Sequence, residues 1–135
     1  MQDGVTASER TIHSFSAPQP IGPYVQAVAQ GPLIFCSGQI GIDPLSGELV
    51  SGGIRAEADQ AIRNLETILQ KGGGDLESIT QANVFLTDLA DYQVFNEVYG
   101  SFFFRSPPSR TAVQVSALPM GACVEISCIA MLTPK

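Results

Sequence analysis

The chain has 135 residues, a net charge of −6 and only 15% charged residues. That length fits one domain over residues 1–135, and so little charge is typical of a globular chain that hides surface by self-association. Seven scattered Lys and Arg residues do not form the basic stripe that displaces counterions from a phosphate backbone, so nucleic acid is a poor partner. An acidic surface also repels anionic membranes, whereas a small anionic substrate needs only one shielded arginine.

Cysteine usage and the chain's polar start bear on its location. Cys36, Cys123 and Cys128 lie in apolar stretches without a CxxC pair, which predicts reduced, buried thiols rather than disulfides or a metal site. Residues 1–10 lack the apolar core of a secretory signal. No apolar run approaches the ~20 residues of a membrane helix. We therefore expect a cytoplasmic protein, with a mitochondrial location left open, and we interpret residues 1–15 as an N-terminal extension and edge strand.

The first half of the chain predicts short strands and then a long helix. Strands are expected at residues 11–15, 24–30 and 33–40, with a proline-rich loop after the first. A helix is expected over residues 54–71. Its apolar positions share one face: Ala58, Ala61, Ile62, Leu65, Ile68 and Leu69. The glycines at 72–74 follow this helix, so they cap its end, whereas a phosphate-binding loop precedes its helix.

A strand at residues 79–86 and a second helix at 91–104 come next. Two prolines after Ser106 end this helix. Its large side chains recur at three- and four-residue spacing and should face the core: Tyr92, Phe95, Tyr99 and Phe102. Asn96 is interpreted as an exposed amide, out of phase with that apolar stripe.

Two alternating strands close the chain at residues 110–118 and 122–132, and residues 119–121 are expected to join them as a hairpin. Alternation assigns the more apolar side of the first strand to the helices. It leaves Arg110 on the opposite face together with Glu125. The predicted architecture is α+β, one mostly antiparallel sheet with two helices on one face. The other face, part polar and part apolar, suits a subunit interface that contains a wet site.

Arg110 and Glu125 are the candidate chemical pair. A guanidinium binds a carboxylate through a rigid fork, and a glutamate can exchange protons with water. A salt bridge between the two, with no further role, fits their spacing equally well. For Ser37 and Gly38 a bulge is the simpler interpretation, and for Tyr24 an aromatic plug is as plausible as a site residue.

Four motifs occur in order: Ile21-Gly-Pro-Tyr24, Ser37-Gly-Gln-Ile40, Pro107-Pro-Ser-Arg110 and Val124-Glu-Ile126. Together they resemble the Rid family, the reactive intermediate deaminases or RidA/YjgF-like proteins, over residues 16–132. The resemblance implies a chorismate-mutase-like fold of the bacillus type and a homotrimer with clefts between subunits. It also implies the cofactor-free activity of a 2-iminobutanoate/2-iminopropanoate deaminase. Such enzymes limit metabolite damage by hydrolysing enamines and imines, such as 2-aminoacrylate, to 2-keto acids and ammonia.

The resemblance also assigns roles to residues. Arg110 corresponds to the arginine that binds the substrate carboxylate, and Glu125 to the acid that orients or activates water. The other expected cleft residues are Tyr24, Ser37, Gly38, Asn96, Thr111 and Ala112. Ala112 stands where many members have a cysteine, which excludes a mechanism that needs that thiol. No metal is expected.

Other functions stay open at this point. They are a non-catalytic trimeric protein that binds small carboxylates, a ribonuclease or translation inhibitor, and a structural or chaperone-like trimer. The acidic charge and the single histidine, His13, count against a ribonuclease. A dispensable Glu125 beside an essential Arg110 would favour the binding protein.

Overall fold

Two helices pack on one face of a six-stranded sheet in the computed structural model, which describes residues 10–133. The strands are β1 (Thr11–Ile12), β2 (Ala27–Gln30), β3 (Leu33–Gln39), β4 (Ile79–Leu86), β5 (Ser109–Gln114) and β6 (Val124–Met131). The helices are α1 (Gly53–Lys71) and α2 (Tyr92–Phe102). Most of the predicted N-terminal extension, residues 1–9, lies outside the described residues. The predicted α+β architecture is confirmed.

The strand order is β1-β2-β3-β6-β4-β5. Every neighbouring pair is antiparallel except β4 and β5, which run parallel. The predicted hairpin between the last two strands is therefore wrong, because β4 lies between β5 and β6. A short 3₁₀ turn at Pro119–Gly121 precedes β6, which enters the middle of the sheet. α2 is the crossover that a parallel β4–β5 pair requires.

The face to which Arg110 belongs also differs from the prediction. Arg110 pairs with Ala82 of β4, which is fully buried under the helices. Directly paired residues point to the same face of a sheet, so Arg110 and Ala112 lie on the helix side. Val113 points the other way and is 42% exposed. The expectation that the apolar side of this strand faces the helices is wrong.

Helix α1 supplies most of the core from one face, as its spacing predicts. Its buried residues are Glu57, Ala58, Ala61, Ile62, Asn64, Leu65, Ile68 and Leu69. The glycines after it cap the helix: the N–H groups of Gly72 and Gly74 both donate to the carbonyl of Leu69, at 3.0 and 2.8 Å. The capping interpretation is confirmed. No helix within residues 10–133 is long and apolar enough to cross a membrane.

Helix α2 buries only part of its predicted stripe. Phe95 and Tyr99 are buried, whereas Phe102 is half-buried and Tyr92 is 39% exposed. Tyr92 stacks beside Arg110 at the sheet edge instead of entering the core. Asn96 is half-buried with an inaccessible Oδ1, so the expectation of an exposed amide is wrong.

The face of the sheet without helices carries a mixture of apolar and polar side chains. The apolar members include Phe35, Val113 and Met131, which are 41%, 42% and 48% exposed. Glu125 and Ser127 of β6 share this face, because Val124, Ile126 and Cys128 fill the core side. The part of the prediction that puts Glu125 opposite the helices is confirmed. We call this surface, with these five outward residues, the helix-free face.

Candidate active site

Glu125 lies against a bulge in β3. Cys36 pairs with Cys128 and Gln39 pairs with Ile126, so β3 carries one extra residue over this stretch. The bulge contains Ser37 and Gly38, as the simpler interpretation of these residues predicts. A Cβ built on Gly38 would collide with the carboxylate of Glu125 and would lie 2.8 Å from its Cδ. Glycine at 38 therefore lets the carboxylate rest directly on the backbone of β3.

A cavity of about 320 Å³ opens beside this carboxylate. Its lining residues come from the proline-rich loop, the bulge, the segment after β3 and the turn before β6: Pro18, Gln19, Pro20, Ile21, Tyr24, Gln26, Gly38, Gln39, Ile40, Ile42, Pro119, Met120 and Glu125. Most of these side chains are apolar, and Glu125 is the one with an ionisable carboxyl. The cavity thus combines one acid with a wall that can pack against carbon.

The proline-rich wall is fastened by Gln26, which is 1% exposed. Its Oε1 accepts from the backbone N–H of Ser14 at 2.6 Å, and its Nε2 donates to the carbonyls of Ser14 and Pro18 at 3.0 and 2.9 Å. The carboxamide oxygen and both N–H groups of Gln26 therefore bind the main chain of the loop and hold the loop beside the cavity.

Two buried polar residues of α1 fix the opposite wall. Asn64 Nδ2 donates to the carbonyls of Ile40 and Ile42 at 3.2 and 3.0 Å. The Oε1 of Glu57 accepts from the backbone N–H of Cys123 at 2.8 Å, just before β6 begins. The sequence interpretation missed both residues. Their signal was present, because each falls in phase with the buried face of α1, where a polar side chain must find a partner.

The turn before β6 carries backbone strain at the mouth of the cavity. Met120 has φ 59° and ψ 19°, the only positive φ at a residue other than glycine within 10–133. The left-handed region costs an ordinary side chain on the order of 1 kcal/mol or more, and such residues concentrate at functional sites.

Tyr24 and Ser37 were both predicted in the cleft, and they differ in what they offer. Tyr24 lines the cavity, is 52% exposed, and accepts a long 3.5 Å hydrogen bond from the N–H of Ile21. Ser37 does not line the cavity, and its hydroxyl donates to the carbonyl of Val25 at 2.6 Å. Ser37 therefore shapes the bulge, whereas the Tyr24 hydroxyl is accessible to a ligand.

Arg110 lies in a second cluster, on the helix side of the sheet edge. Its guanidinium carbon is 4.7 Å from the ring centre of Tyr99, 5.5 Å from that of Tyr92 and 5.7 Å from that of Phe95. Nη2 donates to the hydroxyl of Tyr92 at 2.8 Å. Within residues 10–133 the guanidinium has no acidic partner. Stacked on rings and without a carboxylate, it keeps donors free for an anion.

Helix α2, which supplies the three rings around this arginine, also carries two unpaired polar atoms. Within 10–133, the buried Oδ1 of Asn96 and hydroxyl of Tyr99 have no hydrogen-bond partner. Burial raises the pKa of Tyr99, and the charge of Arg110 works against that rise, so the phenol stays protonated at neutral pH. Ala112 packs against the core, and Thr111 is exposed on the helix-free face. Neither side chain adds a polar group to the Arg110 cluster, so these two residues offer a ligand only their backbone groups there.

The two clusters do not meet within one subunit. Arg110 and Glu125 point to opposite faces, and β4 separates their strands. The two strands are therefore about 10 Å apart, two interstrand spacings. No ion pair joins Arg110 to Glu125, so the salt-bridge interpretation is wrong for the single chain. A site that uses both residues requires a second copy of the chain.

Titration at the carboxylate and the thiols follows from burial. Desolvation raises the pKa of Glu125 above its ordinary value of 4.5. Burial, reinforced by Glu57, raises the pKa of the Cys123 thiol to about 12. A hydrogen bond with Cys36, followed by burial, raises the pKa of Cys128. These two thiols are therefore protonated and poor nucleophiles at neutral pH. Residues 10–133 contain no cluster of side chains that could hold a metal ion.

A family model described as Endoribonuclease L-PSP matches residues 14–132. The chain belongs to this family, the RidA/YjgF family. The family predicted from the four motifs is thereby confirmed.

Individual relatives support the same assignment. The 2-iminobutanoate/2-iminopropanoate deaminase of Homo sapiens is 45% identical over 125 residues, which cover 93% of this chain and 91% of that protein. RidA from the Antarctic bacterium Psychrobacter sp. PAMC 21119 is 43% identical with a TM-score of 0.88, over 90% of this chain and 98% of that one. E. coli TdcF, solved with bound serine, is 37% identical with a TM-score of 0.87, over 91% and 98% of the two chains.

Substitution of Gly38 by alanine tests the contact that seats Glu125. The new methyl group must push the carboxylate away from β3, so we expect the turnover of a reaction that uses Glu125 to fall at least about tenfold, since small displacements of a reacting group are costly. Gly100→Ala is the matched control. It adds the same methyl group on α2, where nothing lies within 4 Å, and should stabilise the fold by about 0.5–1 kcal/mol at unchanged activity. A Gly38→Ala enzyme with wild-type kcat would contradict the seating of Glu125.

Proposed function

We propose that this protein is a 2-iminobutanoate/2-iminopropanoate deaminase. It hydrolyses reactive imines and enamines, such as 2-aminoacrylate, to 2-keto acids and ammonia in the cytoplasm. The observation that carries the proposal is the state of Arg110: a guanidinium held on three aromatic rings, with no acidic partner within residues 10–133. Such a group binds a small carboxylate well. The human deaminase relative and the serine-bound TdcF structure are in accord with a substrate of amino-acid size.

The active form in this proposal is a homotrimer of the chorismate-mutase-like fold, with the Arg110 cluster of one subunit facing the Glu125 cavity of the next. Two features support an assembly. The helix-free face exposes large apolar side chains that a lone chain leaves in water. The chemical groups also lie in separate clusters that only a second copy can complement. Tyr24, Gly38 and Glu125 belong to one wall of the composite cleft, and Asn96, Arg110 and the backbone at Thr111 and Ala112 to the other.

The reaction in this cleft needs positioning and one proton relay. Arg110 binds the carboxylate of the imine tautomer, and the substrate carbon chain packs in the apolar cavity. Glu125 accepts a proton from a water molecule as the water oxygen bonds to C2 and the C=N π electrons move to nitrogen. The proton passes from Glu125 to nitrogen and gives a carbinolamine. Glu125 then accepts the proton of the new hydroxyl as the C=O bond forms and delivers it to nitrogen, so that the C–N bond breaks and ammonia and the 2-keto acid leave.

A coupled assay tests the proposed function. An L-amino-acid oxidase generates the imines of several amino acids, and semicarbazide traps whatever imine remains; faster loss of trapped imine in the presence of this protein is the expected result. No acceleration with any amino acid would overturn the proposal. Retained binding of a 2-keto acid by calorimetry in that case would identify the carboxylate-binding protein instead. Degradation of a labelled RNA, equal in wild type and Arg110→Ala, would point to the ribonuclease that the family description names.

Replacement of Phe35 by aspartate tests the assembly. A carboxylate on the helix-free face would be buried without a partner, at a cost of several kcal/mol per interface. We expect light scattering to show the 14.3 kDa monomer instead of three times that mass, with deaminase activity lost. Leu45→Asp, at a position 97% exposed in a turn, should remain trimeric and active. A fully active Phe35→Asp monomer would refute the composite cleft.

A further inference from the structure

The hydrogen bond between Tyr92 and Arg110 is the only side-chain hydrogen bond of that guanidinium within residues 10–133. Tyr92 Oη accepts from Nη2 at 2.8 Å, while the Tyr92 ring centre lies 5.5 Å from the guanidinium carbon. A phenol has one hydrogen to donate besides the lone pairs that accept. Within 10–133 the Tyr92 hydroxyl hydrogen has no acceptor, and the residue is 39% exposed. A donor is thus left beside the free N–H groups of Arg110.

The chain also fixes where Tyr92 sits relative to β5. Gln114, at the end of β5, accepts through Oε1 from the N–H of Leu89 at 2.8 Å. The carboxylate of Asp88 accepts from the N–H of Ala90 at 2.9 Å and caps the short turn before α2. The first bond ties the segment before α2 to the strand that carries Arg110, and the second holds the short turn that leads into α2. The backbone positions of Tyr92 and Arg110 are therefore fixed relative to each other.

We propose that Tyr92 is a positioning residue for Arg110 and a second donor to the substrate carboxylate, so that the two side chains recognise the carboxylate as one unit. The inference rests on the proposed function and names its specificity element. The contacts with three rings place the guanidinium but fix no direction for its N–H groups. The hydrogen bond to the phenol engages Nη2 and so fixes the direction of the fork that remains. The phenol oxygen lies 2.8 Å from Nη2, beside that fork, with its own hydrogen left to donate.

Such a unit has a definite chemical preference. A carboxylate presents two oxygens and accepts several hydrogen bonds, so it can take the guanidinium fork and the phenol O–H together. An amide or an ester lacks the charge, and in place of the second carboxylate oxygen it has an N–H group or a weakly accepting alkoxy oxygen. The unit therefore selects 2-imino acids over neutral imines of the same size, independently of the proton transfers at Glu125.

Replacement of Tyr92 by phenylalanine removes the hydroxyl and keeps the ring. We expect the Kd for 2-oxobutanoate, by calorimetry, and the KM for 2-iminobutanoate to rise together by about ten- to a hundredfold, as expected for one hydrogen bond to a charged group. The kcat should change by less than about twofold, because binding and not proton transfer is affected. The melting temperature and subunit assembly should stay as in wild type. Tyr92→Gln, which keeps an acceptor and a donor without the ring, should recover part of the affinity.

A double-mutant cycle separates this inference from the function on which it rests. Tyr92→Phe should weaken 2-oxobutanoate binding in the wild type and cause a smaller loss in an Arg110→Ala background, where only the phenol's own hydrogen bond to the carboxylate remains to be lost. An unchanged Kd in Tyr92→Phe, with strong loss in Arg110→Ala, would overturn the inference alone. Equal losses of affinity in both backgrounds would overturn the positioning role, because Tyr92 would then act independently of Arg110. No loss in Arg110→Ala would instead refute the proposed carboxylate anchor.

Discussion

Replacement of Arg110 by alanine is expected to lower kcat/KM for 2-iminobutanoate by about 10²- to 10³-fold, the loss that two charge-assisted hydrogen bonds imply. The substrate is reactive without a catalyst, so the site contributes mainly by holding its carboxylate at a fixed place relative to the water on Glu125. Without the guanidinium, the cavity wall offers carbon contacts but no positive charge to bind the carboxylate. Arg110→Lys should recover little, because an ammonium group lacks the planar fork.

The measurement is the coupled imine assay with the purified variant, together with calorimetric binding of 2-oxobutanoate. Arg105→Ala is the matched control. Arg105 also lies over an aromatic ring, that of Phe104 at 5.9 Å, and its loose ion pair with Glu77 is exposed. This control should behave as wild type. Wild-type kcat/KM in Arg110→Ala would contradict the anchoring role.

The same variant should remain folded. Removal of the Arg110 guanidinium breaks no ion pair within residues 10–133, and the rings of Phe95 and Tyr99 stay packed on each other. We expect the free energy of unfolding to fall by about 1 kcal/mol or less, the usual contribution of an exposed cation–π contact. A loss of activity without a loss of stability therefore identifies a functional arginine.

Periodicity predicted the elements that bury one face well. Helix α1 was expected at 54–71 and occurs at Gly53–Lys71, and β4 has the expected bounds. The alternation of β6 also identified its core side. In these segments the apolar residues of one face meet the core and the polar residues of the other do not, so local pattern and tertiary environment agree.

Strand β5 shows where that reasoning fails. The side of β5 that carries Thr111 and Val113 is the more apolar, and hydrophobicity alone assigned this side to the helices. The helices instead cover Arg110 and Ala112, since β5 is an edge strand registered on Ala82 of β4. Its apolar side faces outward, where a subunit partner would bury it. A pattern of hydrophobicity cannot distinguish the interior of a chain from the surface between chains.

The geometry of the candidate site was not predictable from the sequence. The family motifs predict roles for Arg110 and Glu125, and those roles stay predictions. The spacing of the two residues suggested one face and a direct pair, whereas they point to opposite faces of the sheet. Asn96 was assigned to solvent because the large rings of α2 dominated the pattern, although it lies four residues after Tyr92 and three before Tyr99 and thus shares their side. Strand order depends on contacts between distant segments, which adjacent residues do not encode.

Replacement of Glu125 by glutamine has the second large expected effect, a fall in kcat of about 10²- to 10⁴-fold, because an amide cannot accept the proton of the attacking water. Binding of 2-oxobutanoate should persist within about threefold, since Arg110 remains. Glu48→Gln, at an exposed turn position, is the matched control and should keep wild-type kcat. Full activity in Glu125→Gln would contradict the proton-transfer role of Glu125.

The pH dependence of activity adds a second measurement on the same residue. Burial raises the pKa of Glu125 above 4.5, so the carboxylate form that accepts a proton is lost as pH falls through this raised value. The wild-type kcat should therefore decline on the acid side, starting at a higher pH than an ordinary glutamate would give. The small residual kcat of Glu125→Gln should lack that decline. An acid limb with the same midpoint in both proteins would assign the titration to another group.

The contribution of Glu125 to stability should change with pH in the opposite direction to activity. Because the pKa of Glu125 is higher in the folded than in the unfolded chain, the neutral carboxyl favours folding. This favourable contribution is complete below the unfolded pKa and is lost as pH rises through the folded one, so at pH 7 the charged carboxylate is a cost. Glu125→Gln, which is neutral at every pH, should melt higher than wild type at pH 7, and the difference should narrow on acidification. A lower melting temperature of the variant at pH 7 would mean that the carboxylate is held by favourable charges, in contrast to a desolvated base placed against the backbone of Gly38.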